Sequence, residues 1–447
     1  MPVTLSSGFE PYVKHAPHVP VVRVTSGKAP TIHRFFDTPP ISPSGKYIAL
    51  TEFQNDRKLP VAGEQAFVIV IDLENGREIY RSATAAWDTQ LGAQVQWGAA
   101  DTDLFFNRMD DPDTGPYGVK VDISSGTEVH LSGSVYMISP DGRYSVSPDL
   151  KKIGLVQAGY GVIVAKENII GNRGAEETDG IFVTDTETGR CRLLISFAQI
   201  YRELKPRFSG IRLDKGAFYA FHVKWSPNGK RIMLVLRWLP DGPSRGTKNY
   251  LITMRADGSE LRMALDAGAW RNGHHPNWCP DSNSIVMNLA VRNIDIRFPM
   301  FRSAVSGILR RAGVRIYSKA YDVRFAKFSF DGSETEVLSQ FEFGSGHPSL
   351  HSDGRYLIAD AYPNERVSFG DGSVPLRVLD LLSGQMDCVV RILTRPPFDG
   401  PRAEWRVDPH PVWDRPARQV VFNAAADGTR QVYLADFSAY LKRSVEA

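Results

Sequence analysis

The run Ser139-Pro140-Asp141-Gly142-Arg143 (SPDGR) decides the fold of this 447-residue chain. Proline presets φ at the second position of a tight turn, and the glycine after aspartate tolerates a positive φ, so the run predicts a hairpin between two strands. Clear copies stand at 42–46 (SPSGK) and 226–230 (SPNGK), and each is followed by a β-rich run. Degenerate copies complete a set of seven and occupy 98–102, 279–283, 351–355 and 414–418.

A second recurrent element lies between these turns and reads as a strand, a turn rich in aspartate and glycine, and another strand. It occurs at 70–77, 119–126, 183–190, 254–260 and 378–384. Two hairpins make a four-stranded blade, so the repeats predict an all-β, seven-bladed β-propeller of four-stranded antiparallel blades with a few short helical insertions. The strand at 430–436 would end the last blade, and Val21 to Thr25 could pair beside it to close the ring.

Length and composition fit a single soluble ring. Circular repeats can occupy a whole chain, so we expect one domain over 1–447 with an N-terminal arm at about 1–30. The net charge of +3 is too small to indicate a nucleic-acid partner. Three widely spaced cysteines without a Cys-x-x-Cys pair favour a reducing compartment. Because no basic and apolar leader is seen, we expect a cytoplasmic protein, or a periplasmic one if a signal was removed.

Two segments interrupt the repeat. Residues 193–204 carry apolar side chains at helical spacing and predict a short amphipathic helix against one face of the ring. Residues 292–327 form a basic insertion with nine lysines or arginines and two aspartates. This insertion could make peripheral contact with an anionic membrane, cover a pocket for an anionic ligand, or be a solvated loop. One helical face within it would hold Phe301, Val305, Ile308 and Ala312.

Histidine occupies the same place, four residues before the hairpin turn, in four consecutive repeats. In blade order this position holds Thr38, Gln94, Val135, His222, His275, His347 and His410. The strand that enters this hairpin is the innermost of its blade, so these side chains should meet at one height beside the central channel. A ring of imidazoles suits metal binding or proton transfer. The alternative is that His-Pro merely starts a strand, with the imidazole bonded to a neighbouring carbonyl.

Further polar and aromatic side chains lie close to the histidine strands in sequence. Such residues suit an acidic sugar, because a cation can hold the carboxylate, imidazoles can bind a metal or move a proton, and a tyrosine can serve the leaving oxygen. Each also has an ordinary structural interpretation, for instance a turn cap, a strand aromatic or a core tryptophan. These residues are Arg237, Trp238, Asn288, Asp360, Tyr362, Arg406 and Asp408.

The SPDGR hairpins resemble the propeller repeats of the translocation protein TolB, and the later blades resemble oligogalacturonate lyases and related polysaccharide-lyase propellers. Four runs over roughly residues 220–437 carry the second resemblance, and they begin at His222 (HVKWSP), Gly273 (GHHPNW), Gly346 (GHPS) and Asp427 (DGTRQVY). The resemblance implies a lyase that eliminates across a uronic acid, with a histidine base and a divalent metal on histidines and a glutamine. By position, His222 resembles the base, and His275 and His347 resemble metal ligands.

The chain departs from that pattern before His347, where the run 343–347 (FGSGH) contains no glutamine. His410 could supply the missing ligand. We therefore expect a divalent metal on His275, His347 and His410. Histidine ligation favours manganese, with iron, nickel or zinc as alternatives, and disfavours calcium, which prefers oxygen ligands.

The predicted function is β-elimination of a uronate-containing oligosaccharide or polysaccharide in the central channel. The substrate carboxylate has to be neutralised to stabilise the enolate-like intermediate, and the metal or Arg237 would do this while His222 removes the C5 proton. The predicted roles are catalysis for His222, Arg237 and Tyr362, and substrate binding for Gln94, Arg406, Asp360 and Trp238.

Two other classes of function stay open. A non-catalytic propeller would bind a protein or an envelope glycan on its face, with the basic insertion as its working surface. A glycoside hydrolase would need two carboxylates about 5 to 9 Å apart, which only an approach of Asp360 and Asp408 across blades could provide.

Overall fold

The computed structural model describes residues 8–242, 246–270, 272–292, 321–341, 343–395 and 405–446. Its strands form seven antiparallel sheets in a ring, one for each predicted repeat. The prediction of an all-β, seven-bladed propeller is therefore confirmed. Two short strands, β1 (Glu10–Pro11) and β2 (Val21–Arg23), precede the first blade.

From the channel outward, the first four blades run as follows. Blade 1 holds β3 (Thr31–Ile32), β4 (Tyr47–Phe53), β5 (Ala66–Asp72) and β6 (Glu78–Thr84). Blade 2 holds β7 (Gln96–Trp97), β8 (Leu104–Arg108), β9 (Tyr117–Asp122) and β10 (Thr127–Leu131). Blade 3 holds β11 (Met137–Ile138), β12 (Tyr144–Ser147), β13 (Gly180–Asp185) and β14 (Cys191–Ser196). Blade 4 holds β15 (Gly216–Trp225), β16 (Arg231–Pro240), β17 (Lys248–Arg255) and β18 (Arg262–Leu265).

The last three blades complete the ring. Blade 5 holds β19 (Gly273–Trp278), β20 (Ser284–Arg292), β21 (Tyr321–Ser329) and β22 (Thr335–Val337). Blade 6 holds β23 (Ser349–Leu350), β24 (Tyr356–Ala359), β25 (Ser373–Asp380) and β26 (Met386–Leu393). Blade 7 holds β27 (Val412–Trp413), β28 (Gln419–Ala424) and β29 (Gln431–Asp436), followed by β2 and β1.

The SPDGR hairpin shows why this sequence turns. The Ser139 amide donates to the Tyr144 carbonyl at 2.7 Å, and the Asp141 carboxylate accepts from the Arg143 amide at 3.0 Å. Gly142 adopts φ +76°, the left-handed conformation that glycine tolerates. All seven predicted turns of this kind join the first and second strands of a blade. The innermost strand therefore enters each of these turns, as predicted from the sequence for the strands that carry the histidines.

The N-terminal arm closes the ring. β2 pairs antiparallel with β29, with Val21 opposite Ala435 and Arg23 opposite Tyr433, so the predicted pairing is confirmed. Blade 7 gains two strands in this way and becomes five-stranded. The first and last segments of the chain thus share one sheet, which couples the two ends in folding.

Changing Val21 to Asp should lower the free energy of unfolding by about 2 kcal/mol, because Val21 is 3% exposed and packs inside the closing sheet. Urea unfolding measures the effect. The matched control is Val13→Asp, at a valine that is 76% exposed on the same arm, and it should change stability by less than about 0.5 kcal/mol. Equal unfolding midpoints for the two variants would contradict closure through β2.

The innermost strands are tied to one another near the channel. The indole N–H of Trp97 in blade 2 donates to the Pro40 carbonyl of blade 1 at 2.8 Å. Trp413 in blade 7 donates in the same manner to the Ser349 carbonyl of blade 6 at 3.2 Å. Because buried indole N–H groups need partners, these bonds fix neighbouring blades relative to each other.

The predicted helix at 193–204 starts later than expected. Cys191–Ser196 form β14, and α1 covers Phe197–Leu204. The early residues pair with β13, so sheet pairing overrides their helical spacing. The Ser196 hydroxyl caps the helix by accepting from the Gln199 amide at 3.1 Å. A second helix, α2 (Ser438–Glu446), follows the last blade.

The basic insertion predicted at 292–327 joins two strands of blade 5. β20 extends to Arg292 and β21 begins at Tyr321, so both ends of the predicted segment belong to the sheet. The predicted helical face at Phe301, Val305, Ile308 and Ala312 lies outside the described residues. Among the residues that are described, no helix has the length and apolar character needed to cross a membrane.

Candidate functional site

The position four residues before the hairpin turn is a recurrent point of unusual backbone. In blades 4 and 5 the strand pairing shifts register there, between Phe221 and Lys224 and between His274 and Asn277. A positive φ is uncommon outside glycine and costs free energy, so its recurrence at one register makes these positions candidates for a functional site. The φ values are +59° at Gln94, +50° at His222, +63° at His275 and +50° at His410.

The imidazoles from blades 5, 6 and 7 gather beside the channel. The ring centroids of His275 and His347 lie 3.9 Å apart, and those of His347 and His410 lie 4.3 Å apart. His222 lies on the other side of Phe35, which stacks on it at 5.1 Å and meets His410 edge-on at 4.6 Å. All four histidines are buried. Side chains that stand at the same distance before equivalent turns thus lie in one region of the channel.

The aromatic plug between the histidines was not anticipated from the sequence. Phe35 and Phe36 enter the channel from blade 1, directly after the two-residue strand β3, and both are fully buried. Their neighbour Arg34 donates to the Gln94 side chain at 2.9 Å, so Gln94 holds this segment in place. The run Phe35-Phe36-Asp37, which stands directly before the register position of blade 1, was the sequence signal that could have revealed this plug.

A buried ion network lies next to this plug. The Asp37 carboxylate contacts the Arg34 guanidinium at 2.7 Å and the Lys224 ammonium at 2.8 Å, and Lys224 also donates to the Pro276 carbonyl at 2.8 Å. Burial raises the pKa of Asp37, but the two cations outweigh it and hold the pKa at about 2. Burial lowers the pKa of Lys224 to about 8 against the attraction of Asp37. The network is therefore charged at neutral pH.

A cavity of about 300 Å³ opens beside His222 and His275. Five of the residues proposed from the sequence line it, namely His222, Arg237, His275, Tyr362 and Arg406. Its wall also contains residues that the sequence did not single out, namely Gln157, Tyr160, Phe221, Val235, Trp270, His274 and Pro276.

The electrostatics of the cavity suit an anionic ligand. Arg237 donates to the Val156 carbonyl at 2.6 Å and to the Gln157 side chain at 2.8 Å, and burial lowers its pKa to about 10, so it stays cationic at neutral pH. Arg406 adds a second guanidinium to the wall, and its Nε donates to the Asp408 carboxylate at 2.8 Å. Burial is the main cause that holds the pKa of His222 well below its usual range, and the positive charge of Lys224 is the second cause. A neutral imidazole thus faces the same cavity as two cations.

Three further side chains offer ligand atoms that converge. Single ligand atoms of His347, Asp408 and His410 lie within 4.8 Å of one another. His347 Nε2 and both ring nitrogens of His410 are buried without a hydrogen-bond partner. Unpaired buried polar atoms are costly, and a bound cation would satisfy one ring nitrogen of each histidine. The donor set therefore fits a divalent metal.

Asp360 holds two of these histidines from behind. Its carboxylate lies 2.9 Å from His347 Nδ1, and it accepts from the backbone amides of His347 at 2.6 Å and His410 at 3.2 Å. His347 Nε2 is thereby left free to face the ligand atoms of Asp408 and His410, which with His347 form the converging set. A carboxylate orients a metal-binding imidazole in this arrangement. Asp360 is 1% exposed and absent from the cavity wall, so it is not placed to touch substrate or to serve as a glycosidase carboxylate.

Two other predicted substrate-binding residues also lie away from the cavity. Trp238 is buried in the hydrophobic core and packs on Phe218 with ring centroids 4.8 Å apart. The side-chain oxygen of Gln94 accepts a hydrogen bond from the Arg34 guanidinium. Trp238, Gln94 and Asp360, which the sequence analysis assigned to substrate binding, thus lie outside the cavity wall, whereas Arg406 forms part of it.

His275 differs from the other two predicted metal ligands. Its Nδ1 lies 3.0 Å from the Gly346 carbonyl and its Nε2 lies 3.2 Å from the Tyr362 hydroxyl, so both nitrogens are engaged. The structure thus brings His275 next to His347 but leaves it outside the converging set.

Comparison with protein-family models and with curated proteins gives no match for this sequence. Solved structures do match. An oligogalacturonate lyase in complex with manganese superposes with a TM-score of 0.61 over 96% of this chain and 96% of its own, at 14% identity. The chain resembles oligogalacturonate lyases in fold. A second such lyase, from Vibrio parahaemolyticus, gives a TM-score of 0.61 over 97% of each chain, also at 14% identity.

The resemblance to the oligogalacturonate lyase propellers, first drawn from the runs at the later blades, is confirmed at the level of architecture. At 14% identity the likeness extends to the ring of blades, and the roles of individual residues rest on the geometry of the site. That geometry sets a neutral histidine and two arginines around one cavity, with a cluster of unpartnered imidazole nitrogens nearby.

Proposed function

We propose that this protein is a lyase that cleaves uronate-containing oligosaccharides or polysaccharides by β-elimination in the cavity beside His222. The observation that carries the proposal is a neutral imidazole that shares a 300 Å³ cavity with two guanidinium groups, Arg237 and Arg406. A neutral imidazole is a competent base, and the cations match the carboxylate of a uronate.

In the proposed reaction the substrate carboxylate pairs with an arginine of the wall, which stabilises the negative charge that develops beside C5. His222 Nδ1 lies 3.0 Å from the Tyr136 hydroxyl, which leaves Nε2 to accept the C5 proton. The electron pair of the C5–H bond forms the C4–C5 double bond as the C4–O bond breaks. The departing oxygen takes a proton from water at the cavity mouth, and the hydroxide that remains takes the C5 proton from His222, which returns the imidazole to its neutral form. The products are a new reducing end and an unsaturated uronate.

The proposal includes a divalent metal held by His347, Asp408 and His410, with manganese first and iron, nickel or zinc as alternatives. The unpartnered nitrogens of the two histidines support this assignment. None of these three side chains lines the cavity, so such a cation, when bound, would add positive charge near the site, while the substrate carboxylate would pair with an arginine of the wall. The protein's own part is to orient His347 through Asp360 and to keep the ligand atoms away from bulk water.

Metal binding should depend on His410 and on Asp360. We expect the wild type to bind about one Mn²⁺ per chain, His410→Ala to lose binding, and Asp360→Asn to weaken it by about 10-fold to 100-fold because His347 loses its orienting carboxylate. Calorimetric titration with Mn²⁺ measures each affinity. His130→Ala, at an exposed histidine of β10, is the matched control. Unchanged affinity in His410→Ala would contradict the assignment.

The reaction itself is tested by incubating the protein with a panel of uronate oligosaccharides. The new C4–C5 double bond is conjugated with the carboxylate, so its ultraviolet absorbance reports elimination. We expect the absorbance to rise with uronate substrates and to stay flat with carboxyl-reduced oligosaccharides of the same length, which lack the carboxylate that acidifies the C5 proton and conjugates with the new double bond. Binding of uronate oligosaccharides without any rise would favour the non-catalytic propeller instead.

A further inference from the structure

The hydrogen bonds of His275 determine where its proton lies. A carbonyl oxygen only accepts, so the contact of 3.0 Å with Gly346 requires that Nδ1 carry the hydrogen. His275 is buried and, among the described residues, hydrogen-bonds to a carbonyl and a hydroxyl but to no carboxylate; because an unpaired buried charge is costly, the ring is neutral and Nε2 has a lone pair. The Tyr362 hydroxyl, 3.2 Å away, therefore donates its hydrogen to Nε2.

The acceptor that fixes this tautomer is rigid. The Gly346 carbonyl also accepts from the Asn288 side chain at 2.7 Å. Gly346 has φ +84°, and a Cβ there would lie 2.2 Å from the Asp360 carbonyl oxygen, so only glycine fits this close approach. The orientation of His275 is thus set by the backbone of the next blade and does not depend on a ligand.

The consequence for Tyr362 follows from its single proton. That proton is committed to His275, so the phenolic oxygen presents its lone pairs toward the cavity that it lines. An oxygen in this state accepts a hydrogen bond from a sugar hydroxyl and is not placed to protonate a leaving group. The Tyr362 amide donates to Glu365 at 3.1 Å, which holds the start of its loop.

We infer that His275 is a positioning residue for Tyr362 and not a metal ligand, and that Tyr362 binds a free hydroxyl of the sugar beside the uronate carboxylate. This inference rests on the proposed function, because it names a contact within the same cavity. It separates two groups of histidines on neighbouring blades. His347 and His410 have unpartnered nitrogens, whereas both nitrogens of His275 serve protein groups.

The test uses three variants, namely Tyr362→Phe, His275→Asn and His275→Gln. Asparagine can keep the donor to Gly346 but offers no acceptor where Nε2 stands, whereas the glutamine oxygen can reach that place. Mn²⁺ titration should give wild-type affinity for all three. KM for a uronate oligosaccharide should rise about 3-fold to 10-fold in Tyr362→Phe and His275→Asn, with kcat nearly unchanged. His275→Gln should keep KM close to the wild type.

Distinct results would overturn the inference. Loss of Mn²⁺ in both His275 variants with retention in Tyr362→Phe would make His275 a metal ligand. A fall in kcat of about 100-fold or more in Tyr362→Phe at unchanged KM would place Tyr362 in the chemical step. If the wild type shows no turnover, the proposed function fails by itself, and calorimetric titration of the oligosaccharide replaces KM. Equal affinity in Tyr362→Phe and the wild type would then overturn the role of Tyr362.

Discussion

Replacing His222 by glutamine should lower turnover of a uronate oligosaccharide by about 10³-fold and leave KM nearly unchanged. Glutamine can retain a hydrogen bond to the Tyr136 hydroxyl, which His222 contacts at 3.0 Å, but it cannot accept a proton from carbon. The side chain is 4% exposed at the cavity wall, so the substitution should preserve the shape of the cavity. Steady-state kinetics with an oligosaccharide from the ultraviolet assay measure both constants.

His130→Gln is the matched control, because this histidine is exposed on the outer strand of blade 2 and should leave turnover unchanged. Equal loss in both variants, or full activity in His222→Gln, would contradict the role of His222 as base.

The pH dependence of turnover should carry the signature of His222. The ordinary pKa of histidine is about 6.5. Burial lowers the pKa of His222, so the basic, neutral form persists to more acidic pH than in free histidine. We expect the acid limb of kcat/KM to lie below pH 6.5, with activity lost as the pH falls through the folded pKa. An acid limb above pH 6.5 would exclude His222 as the group that titrates.

Changing Asp37 to Ala should lower the free energy of unfolding by about 3–5 kcal/mol. The carboxylate contacts Arg34 at 2.7 Å and Lys224 at 2.8 Å, and all three side chains are at most 1% exposed. Removing Asp37 leaves the buried Arg34 and Lys224 cations without their counter-ion, and the cost of an unpaired buried charge dominates the effect. Urea unfolding followed by tryptophan fluorescence measures it.

Asp427→Ala is the matched control. Asp427 forms ion pairs with Arg23 and Lys14 but is 43% exposed, so its loss should cost no more than about 1 kcal/mol. The pKa of Asp37 is lowered from 3.8 to about 2, so its contribution is present above its unfolded pKa. That contribution should disappear as the pH falls from about 4 to about 2. A similar loss of stability in the two variants would contradict a buried charged network.

The fold was predictable because it depends on local chemistry that repeats. SPDGR and its copies set hairpin turns through proline, aspartate and glycine, and seven copies in one chain can bury their strands together only by closing a ring. The histidine cluster followed from the same regularity, because residues at a fixed distance from equivalent turns occupy equivalent places. His222, His275, His347 and His410 come together for this reason.

The roles within the cluster were not readable from the sequence, because they depend on atoms from other blades. His275 has both nitrogens engaged through Gly346 and Tyr362 of blade 6, whereas His410 has neither nitrogen engaged. No local pattern distinguishes the two histidines. Asp360 was expected at the substrate, but its carboxylate accepts hydrogen bonds from the backbone amides of His347 and His410.

The aromatic plug formed by Phe35 and Phe36 was not predicted, for a different reason. Blade 1 departs from the repeat directly after β3, and the segment 33–38 fills the channel where the repeat alone leaves space. Such a departure carries no periodic signal. Its burial is set by the width of the channel, which is a property of the closed ring and not of any one blade.

The central claim is that bond cleavage occurs by elimination, and the mass of the products tests it most directly. Mass spectrometry of a saturated oligouronate after incubation with the wild-type protein should show a new non-reducing-end fragment that is lighter by one water than the hydrolysis product, and His222→Gln should not form it. Fragments that have gained water would indicate a glycoside hydrolase, and an unaltered substrate that nevertheless binds would indicate a non-catalytic propeller. Either result would contradict the account.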